Sequence, residues 1–412
     1  MLLAKVLASV VGEGQLNIID AAGRSHRIKG ARPGPDVTMK VHTWWTGLRL
    51  ALRPRLAIGE AYMNGTLTVE QGDIYDLLDL IGRNVAAIDN TLALRLSYGF
   101  QRLVRFFEQY NPVGKAESNV AHHYDLDDHL YDAFLDRDRQ YSCAYFKTGE
   151  ESLEQAQDDK KRHIAAKLRL QPGQKVLDIG SGWGGMALFL AREYGVDVTG
   201  VTLSKEQLAV SSRRALEEGL ADRVRFKLLD YRLEPEQYDR IVSVGMFEHV
   251  GVDHYLEYFA KVKQLLAEDG AMLLHAIGRM ERPGGTNTWL RKYIFPGGYA
   301  PALSEVLGAI EKNGLWATDI EVLRLHYART LRHWRKRFQA NREKIRQTAG
   351  YDERFCRMWE FYLAGCEISF RYFSQMVFQM QIARKQDAVP LTRDYMLEAE
   401  RAPAPSQSMA AE

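Results

Sequence analysis

From Gln174 onward the chain alternates short apolar runs with segments whose apolar residues recur at helical spacing, and few folds accommodate that alternation. The runs 175–179, 197–202, 224–229, 240–246 and 271–275 have strand length. Between them, 185–194, 204–218 and 254–266 read as helices. Strand and helix in turn predict an α/β domain on a doubly wound, mostly parallel sheet, with ligand held beyond the carboxyl ends of the strands.

The 412 residues leave room for more than this domain. Residues 1–95 carry Gly-Pro punctuation at 32–36 and a strand-turn-helix mixture at 53–65, which predicts a smaller N-terminal α+β domain. A helix-like stretch at 97–110 followed by Asn111-Pro112 predicts a helical segment and linker over 96–120, then the catalytic domain over 121–400. The Pro- and Ala-containing end, 401–412, reads as a disordered tail. With 55 Lys+Arg against 53 Asp+Glu, the composition excludes a polybasic coat protein, and no nucleic acid is expected as partner. Cys143, Cys356 and Cys366 lack metal-ligand or disulfide spacing, so no metal is expected, and a reducing compartment fits them. No run of about 18 apolar residues exists, so a cytoplasmic chain meeting a membrane only by a surface is the expectation.

After the run 175–179 comes Gly180-Ser181-Gly182-Trp183-Gly184-Gly185, opening a helix. Such glycines let the chain turn sharply and let a ligand lie on bare backbone. A dinucleotide site would want an acid at the end of the next strand; Thr202 stands there instead, which counts against NAD. The stretch 176–184 resembles the first motif of Rossmann-like S-adenosylmethionine (SAM) methyltransferases, which implies that Asp178 faces the cationic methionine end. A carboxylate that merely caps the turn is the bland alternative. Ser204-x-x-Gln207 is also a capping box, so Ser204 can cap while Thr202 and Gln207 approach the ribose.

Six motifs then appear in order: His123-Tyr124-Asp125-Leu126, Tyr141-Ser142-Cys143-Ala144-Tyr145-Phe146, Thr202-Leu203-Ser204-Lys205-Glu206-Gln207, Met246-Phe247-Glu248-His249-Val250-Gly251, Tyr293-Ile294-Phe295-Pro296-Gly297-Gly298 and His326-Tyr327-Ala328-Arg329-Thr330-Leu331. Together they resemble the cyclopropane-fatty-acyl-phospholipid synthase family, which includes the mycolic acid cyclopropane synthases. The similarity covers residues 120–385, and 59–65 resembles the N-terminal domain of the phospholipid-acting members. The resemblance implies methylene transfer from SAM to the cis double bond of unsaturated acyl chains in membrane phospholipids. Methyl transfer leaves a carbocation, and bound bicarbonate removes the proton that lets the ring close. Methyl-branched or methylene products from the same cation are the near alternative; head-group methylation and a catalytically silent lipid-binding protein are the distant ones.

Carried over by motif, the resemblance implies a bicarbonate site of Cys143, Glu248, His275, Tyr327 and the backbone at Ile277. Glu248 would accept the bicarbonate hydroxyl proton and so orient the anion. For SAM it implies Tyr141, Ser142, Asp178, Gly180, Ser181, Gly182, Gly184, Thr202, Leu203, Ser204, Gln207, Tyr231 and Arg232. The bland alternatives are a satisfied core histidine for His275, a packed tyrosine for Tyr327 and a small buried hydrophobe for Cys143. By alternation His249 faces elsewhere and reads as structural. The resemblance also singles out Cys366, on an apolar stripe of Phe355, Trp359, Tyr362, Phe370, Phe373, Val377 and Met380 that reads as one helix, but no base is placed to activate it. The basic run Arg324, Arg329, Arg332, Arg335, Lys336, Arg337, Arg342, Lys344 and Arg346, extended by Arg49, Arg53 and Arg55, predicts peripheral contact with the inner leaflet. Acids at 125–138 balance it, and the resemblance implies a homodimer.

Overall fold

The computed structural model of the chain describes residues 2–85 and 128–402. The helix-like stretch at 97–110, the linker at 111–119, Asp125, Asp127 and the motif His123-Tyr124-Asp125-Leu126 lie outside the described residues, as does the tail from 403. Arg401, counted above with the tail, is the last residue of a helix.

Residues 2–85 run α1 (Leu2–Ala8), β1 (Glu13–Ile19), β2 (Ser25–Lys29), β3 (Arg32–Val41), α2 (Trp44–Leu52), α3 (Pro54–Met63), β4 (Leu67–Gln71) and α4 (Ile74–Arg83). The strands form one sheet in the order β2-β1-β3-β4. The strand-turn-helix reading of 53–65 is corrected: Pro54 sits in the first turn, where its missing N–H costs nothing, and the segment is helix α3 to Met63.

From residue 128 the order is α5 (Asp128–Phe134), α6 (Leu153–Leu168), β5 (Lys175–Ile179), α7 (Gly185–Tyr194), β6 (Asp197–Thr202), α8 (Lys205–Glu217), β7 (Val224–Leu228), β8 (Tyr238–Val244), α9 (Tyr255–Leu265), β9 (Leu266–Arg279), α10 (Thr288–Tyr293), α11 (Leu303–Lys312), β10 (Trp316–Val322), α12 (His326–Ala349), α13 (Glu353–Tyr372), β11 (Gln375–Ala383) and α14 (Asp394–Arg401). Seven strands form one sheet in the order β10-β11-β9-β8-β5-β6-β7. The neighbours from β9 to β7 are parallel, and β11 runs antiparallel to both β9 and β10. The doubly wound, mostly parallel sheet is the one the alternation predicts. The order reverses beside β5, so the glycine loop opens at the switch point.

The apolar stripe is not one helix. α13 ends at Tyr372, Phe373 is its extended and exposed cap, and Val377 and Met380 belong to β11, whose ladder with β9 runs from Gln375 to Ala383. The helical members pack with α12, and one apolar cluster joins Trp334, Trp359, Leu363 and Ile368 to Leu77 and Met63 of the N-terminal part. That part therefore rests on helices α13 and α10, not on the sheet.

Gly59 makes the close approach possible. A Cβ there would lie 2.4 Å from Nε1 of Trp289, the fully buried indole of α10. Beside it, Glu60 accepts from Lys292 Nζ at 2.8 Å and Tyr293 Oη at 2.9 Å, and pairs with Arg49 of α2. Gly59→Ala is expected to lower stability by about 1–3 kcal/mol through overpacking against Trp289, measured by urea unfolding. Gly23→Ala, which meets no atom within 4 Å but sits at φ 80°, should lose only the smaller backbone term.

A candidate active site at the carboxyl ends of the strands

β5 delivers Asp178 and then a loop that only glycine can follow, with φ of 83°, 53° and 85° at Gly180, Gly182 and Gly184. At Gly180 a side chain would also strike Met246, its Cβ standing 2.7 Å away. The loop forms one wall of a cleft lined by Tyr141, Ser142, Asp178, Gly180, Ser181 and Gly182, with Thr202, Leu203 and Gln207 after β6 and Tyr231 and Arg232 after β7.

Two named residues fall outside this lining. Ser204 spends its Oγ capping α8 at the Gln207 N–H, 3.3 Å, and Gly184 caps α7, where a side chain would meet Phe226 and Ser211. Thr202 Oγ1 donates to Gln207 Oε1 at 2.8 Å, which holds the amide in place. Asp230 accepts from both Nε and Nη2 of Arg232, at 2.9 and 2.7 Å. The acid missing after β6 thus has a counterpart after β7.

The cleft fits a cationic cofactor on two counts. Asp178 Oδ2 and Ser181 Oγ are buried and have no hydrogen-bond partner. Burial pushes the Asp178 carboxyl up to about 7, with Lys160 pulling the other way. A sulfonium or ammonium group placed there would favour the ionised form.

Glu248 stands where β8 has just ended. The β8–β9 ladder stops at Val244 opposite His275, and the Gly245 N–H closes it on the His275 carbonyl at 2.9 Å. The next N–H of β9 on that side belongs to Ile277, and Glu248 Oε1 accepts it at 2.6 Å. Its Oε2 is buried and unpartnered, and burial lifts the carboxyl to about 7. Two residues earlier on the same strand, His275 is 2% exposed, and its Nδ1 lies 3.2 Å from Gln379 Nε2 of β11. The structure thus brings Glu248, Ile277 and His275 onto one short stretch. Cys143, Tyr327, Ile277 and Cys366 pack in one apolar cluster. Cys143 donates to the Ala144 carbonyl at 3.3 Å, and burial raises its thiol strongly. Burial likewise raises Cys366 to about 12, so neither sulfur is primed as a thiolate nucleophile.

His249 corrects the alternation argument. Residues 247–249 form a 3-10 turn rather than a strand, and His249 lines the cleft, held neutral by burial with a pKa of about 4. Sequence reasoning also missed Lys160. It is wholly buried on α6, donates to Gln140 Oε1 at 2.6 Å and Ser142 Oγ at 2.8 Å, and burial lowers it to about 8. The only sequence signal was a lysine on the inward face of an otherwise amphipathic helix.

Comparison with known proteins now adds to this geometry. Residues 113–380 match the family described as mycolic acid cyclopropane synthetase. The cyclopropane-fatty-acyl-phospholipid synthase of Escherichia coli (strain K12) is 37% identical over 363 residues, 87% of this chain and 90% of that protein. A probable fatty acid methyltransferase of Pseudomonas putida is 43% identical over 258 residues, 61% of this chain; the match spans 65% of that relative's length. Among solved structures, mycolic acid cyclopropane synthase CmaA1 complexed with SAH and CTAB aligns with a TM-score of 0.61 at 34% identity, covering 66% of this chain and 99% of that one.

Asp178 yields a test with opposite signs for binding and folding. SAM affinity, measured by calorimetry, is expected to rise with pH up to about 7 and then level off, because the cation needs the ionised carboxylate. Asp178→Asn should lose that pH dependence and roughly 10- to 100-fold in affinity. A folded-state pKa above the unfolded one makes ionisation a cost as pH rises from the ordinary carboxylate range to about 7. The same variant without ligand should therefore melt higher than wild type at pH 8.

Proposed function

Because this chain belongs to the mycolic acid cyclopropane synthetase family and is a SAM-dependent methyltransferase, we propose that it converts the cis double bond of unsaturated acyl chains in bilayer phospholipids into a cyclopropane ring. SAM supplies an electrophilic methyl. The alkene π electrons form the bond to that carbon, S-adenosylhomocysteine leaves, and a carbocation remains on the chain. Removal of a proton from the new methyl lets its C–H electrons close the ring, and bicarbonate takes that proton to become carbonic acid.

The observation that supports this reading is Glu248. One oxygen is fixed by the Ile277 N–H, and the other is buried and unpartnered beside the cofactor cleft. A bare carboxylate would repel an anion, but bicarbonate carries one O–H that can satisfy Oε2 and turn its free oxygens toward the substrate. His275 and Tyr327 can donate to those oxygens. Apolar walls of Tyr141, Trp334, Tyr362 and Phe370 surround this region and exclude water from an alkene that is a weak nucleophile.

The likeness to the probable fatty acid methyltransferase of Pseudomonas putida favours a second reading, a methylene or methyl-branched product from the same cation. A hydride shift and loss of a proton from the new methyl give the methylene, which a separate hydride donor such as a reduced nicotinamide would convert to the saturated methyl branch. Phospholipids extracted from an expressing host distinguish the two by mass spectrometry. The ring adds one CH2 and resists mild hydrogenation; the branched saturated chain is two hydrogens heavier. Glu248→Gln is expected to lower kcat roughly 100-fold or more and to blunt the dependence on added bicarbonate. Full turnover with unchanged bicarbonate dependence would defeat the anion role.

Access to the bilayer follows from a different surface than the basic run alone. In α12, Arg335, Arg337 and Arg342 are held by Glu367, Glu154 and Glu353. By contrast α2 exposes Trp44 and Trp45 at 67% each and Leu52 at 66%, and Arg53 at its end is also exposed. Tryptophan beside arginine suits the headgroup layer, where the indole is half solvated and the guanidinium meets anionic lipid. No helix among the described residues is long and apolar enough to cross a membrane. Replacing Trp44 and Trp45 together by Ala is expected to weaken sedimentation with anionic phospholipid vesicles about 10-fold or more. Unchanged sedimentation would return the docking role to the exposed Arg329, Arg332 and Lys336.

A further inference from the structure

His275 is enclosed by a chain of polar groups that the SAM cleft does not use. The antiparallel ladder sets Gln379 directly opposite it, so both side chains leave the sheet on the same face. Gln379 is fully buried; its Nε2 lies 3.2 Å from His275 Nδ1, and its Oε1 accepts from Lys167 Nζ at 2.7 Å. Lys167, on α6 and 1% exposed, also donates to Glu321 of β10. One turn earlier, His163 meets the same Glu321 at 2.6 Å, pairs with Glu400 of α14 and stacks on Tyr145 at 4.1 Å.

This chain has a direction. An ammonium group only donates, so Lys167 requires the oxygen of the Gln379 amide, and the NH2 is left facing His275. An NH2 can only donate, so the Nδ1 it meets must carry a lone pair. Burial, with the nearby Lys160 and Lys167 and against Glu321, holds the imidazole neutral. A neutral ring whose Nδ1 accepts carries its proton on Nε2.

We infer that Gln379 is a positioning residue: oriented by Lys167, it fixes His275 as the Nε2–H tautomer, so that Nε2 is the atom that donates into the anion site. The inference rests on the anion-binding reading of His275 made under the proposed function. It also gives a reason for an amide at 379. A carboxylate there would accept from Lys167 equally well, but it would draw the ring proton to Nδ1 and leave Nε2 as a lone pair facing an anion.

Gln379→Glu, close to isosteric, tests it in the full-length protein. Nitrogen-15 NMR of labelled histidines, with His275 assigned by loss of its signals in His275→Asn, is expected to show Nε2–H in wild type and Nδ1–H in Gln379→Glu. Turnover should fall roughly 10- to 100-fold in kcat, with KM for SAM held within about twofold, the size of effect usual when an orienting partner is lost. A wild-type Nδ1–H, or an Nε2–H persisting in Gln379→Glu, would overturn the inference. A reversed tautomer with unchanged kcat would leave the relay standing and instead remove His275 from the anion site. If Gln379→Glu does not fold, Lys167→Met serves: the amide is then free to turn, and a mixture of tautomers is expected, whereas a pure Nε2–H signal would count against orientation by Lys167.

Discussion

Everything at the carboxyl ends of the strands depends on holding a carboxyl in an apolar interior without a basic partner bonded to it. Glu248 meets that demand with a backbone bond rather than a basic partner, taking the Ile277 N–H that β8 would have used had it continued one residue further. Early termination of β8 therefore does two things at once. It opens the cleft above the glycine loop, and it frees a donor deep enough to hold an acid. A longer β8 would pair with Ile277, displace Glu248 and close the space beside Met246 and Gly180.

The N-terminal part is coupled to this arrangement through packing rather than through the sheet. Glu60 gathers Arg49 of the exposed α2 together with Lys292 and Tyr293 of α10, and Tyr62 donates to Glu360 of α13 at 2.8 Å. α13 in turn carries Tyr362, whose hydroxyl lies 2.8 Å from that of Tyr141 in the cleft wall. Arg49, Glu60, Tyr62, Glu360, Tyr362 and Tyr141 thus connect the tryptophan-bearing helix to the cofactor cleft. The motif 293–298 and the stretch 59–65, which look unrelated in sequence, are the two sides of one joint.

How much of this was legible beforehand follows from the range of the interactions involved. The β5 run, its glycine loop and the cap of α7 are local, so spacing located the loop, and most of the residues that the family resemblance added do line the cleft. The amide at 379 carried no signal. Its meaning depends on Lys167, 212 positions away, and on the register that sets it against His275. His249 was misjudged because alternation presumes a strand, and the backbone had already tightened into a 3-10 turn. The stripe through 355–380 was misjudged for the opposite reason: three- and four-residue spacing persisted across Phe373 although the helix had ended, because β11 is buried on both faces and happens to place Val377 and Met380 at that spacing.

Neither of the buried lysines near the cleft, Lys160 or Lys167, bonds Asp178 or Glu248. Lys160 is tied to the Gln140 amide and the Ser142 hydroxyl, and Lys167 reaches His275 only through the Gln379 amide. Asp178 and Glu248 make no ion pair. Had Lys160 bonded Asp178 directly, each charge would have satisfied the other, and a sulfonium would gain little by approaching. Neutral partners keep Lys160 close enough to pull on Asp178 but leave Asp178 Oδ2 without a hydrogen bond. Ionising either acid without a ligand then costs stability, and the wide aromatic core shared with the N-terminal part offsets that cost.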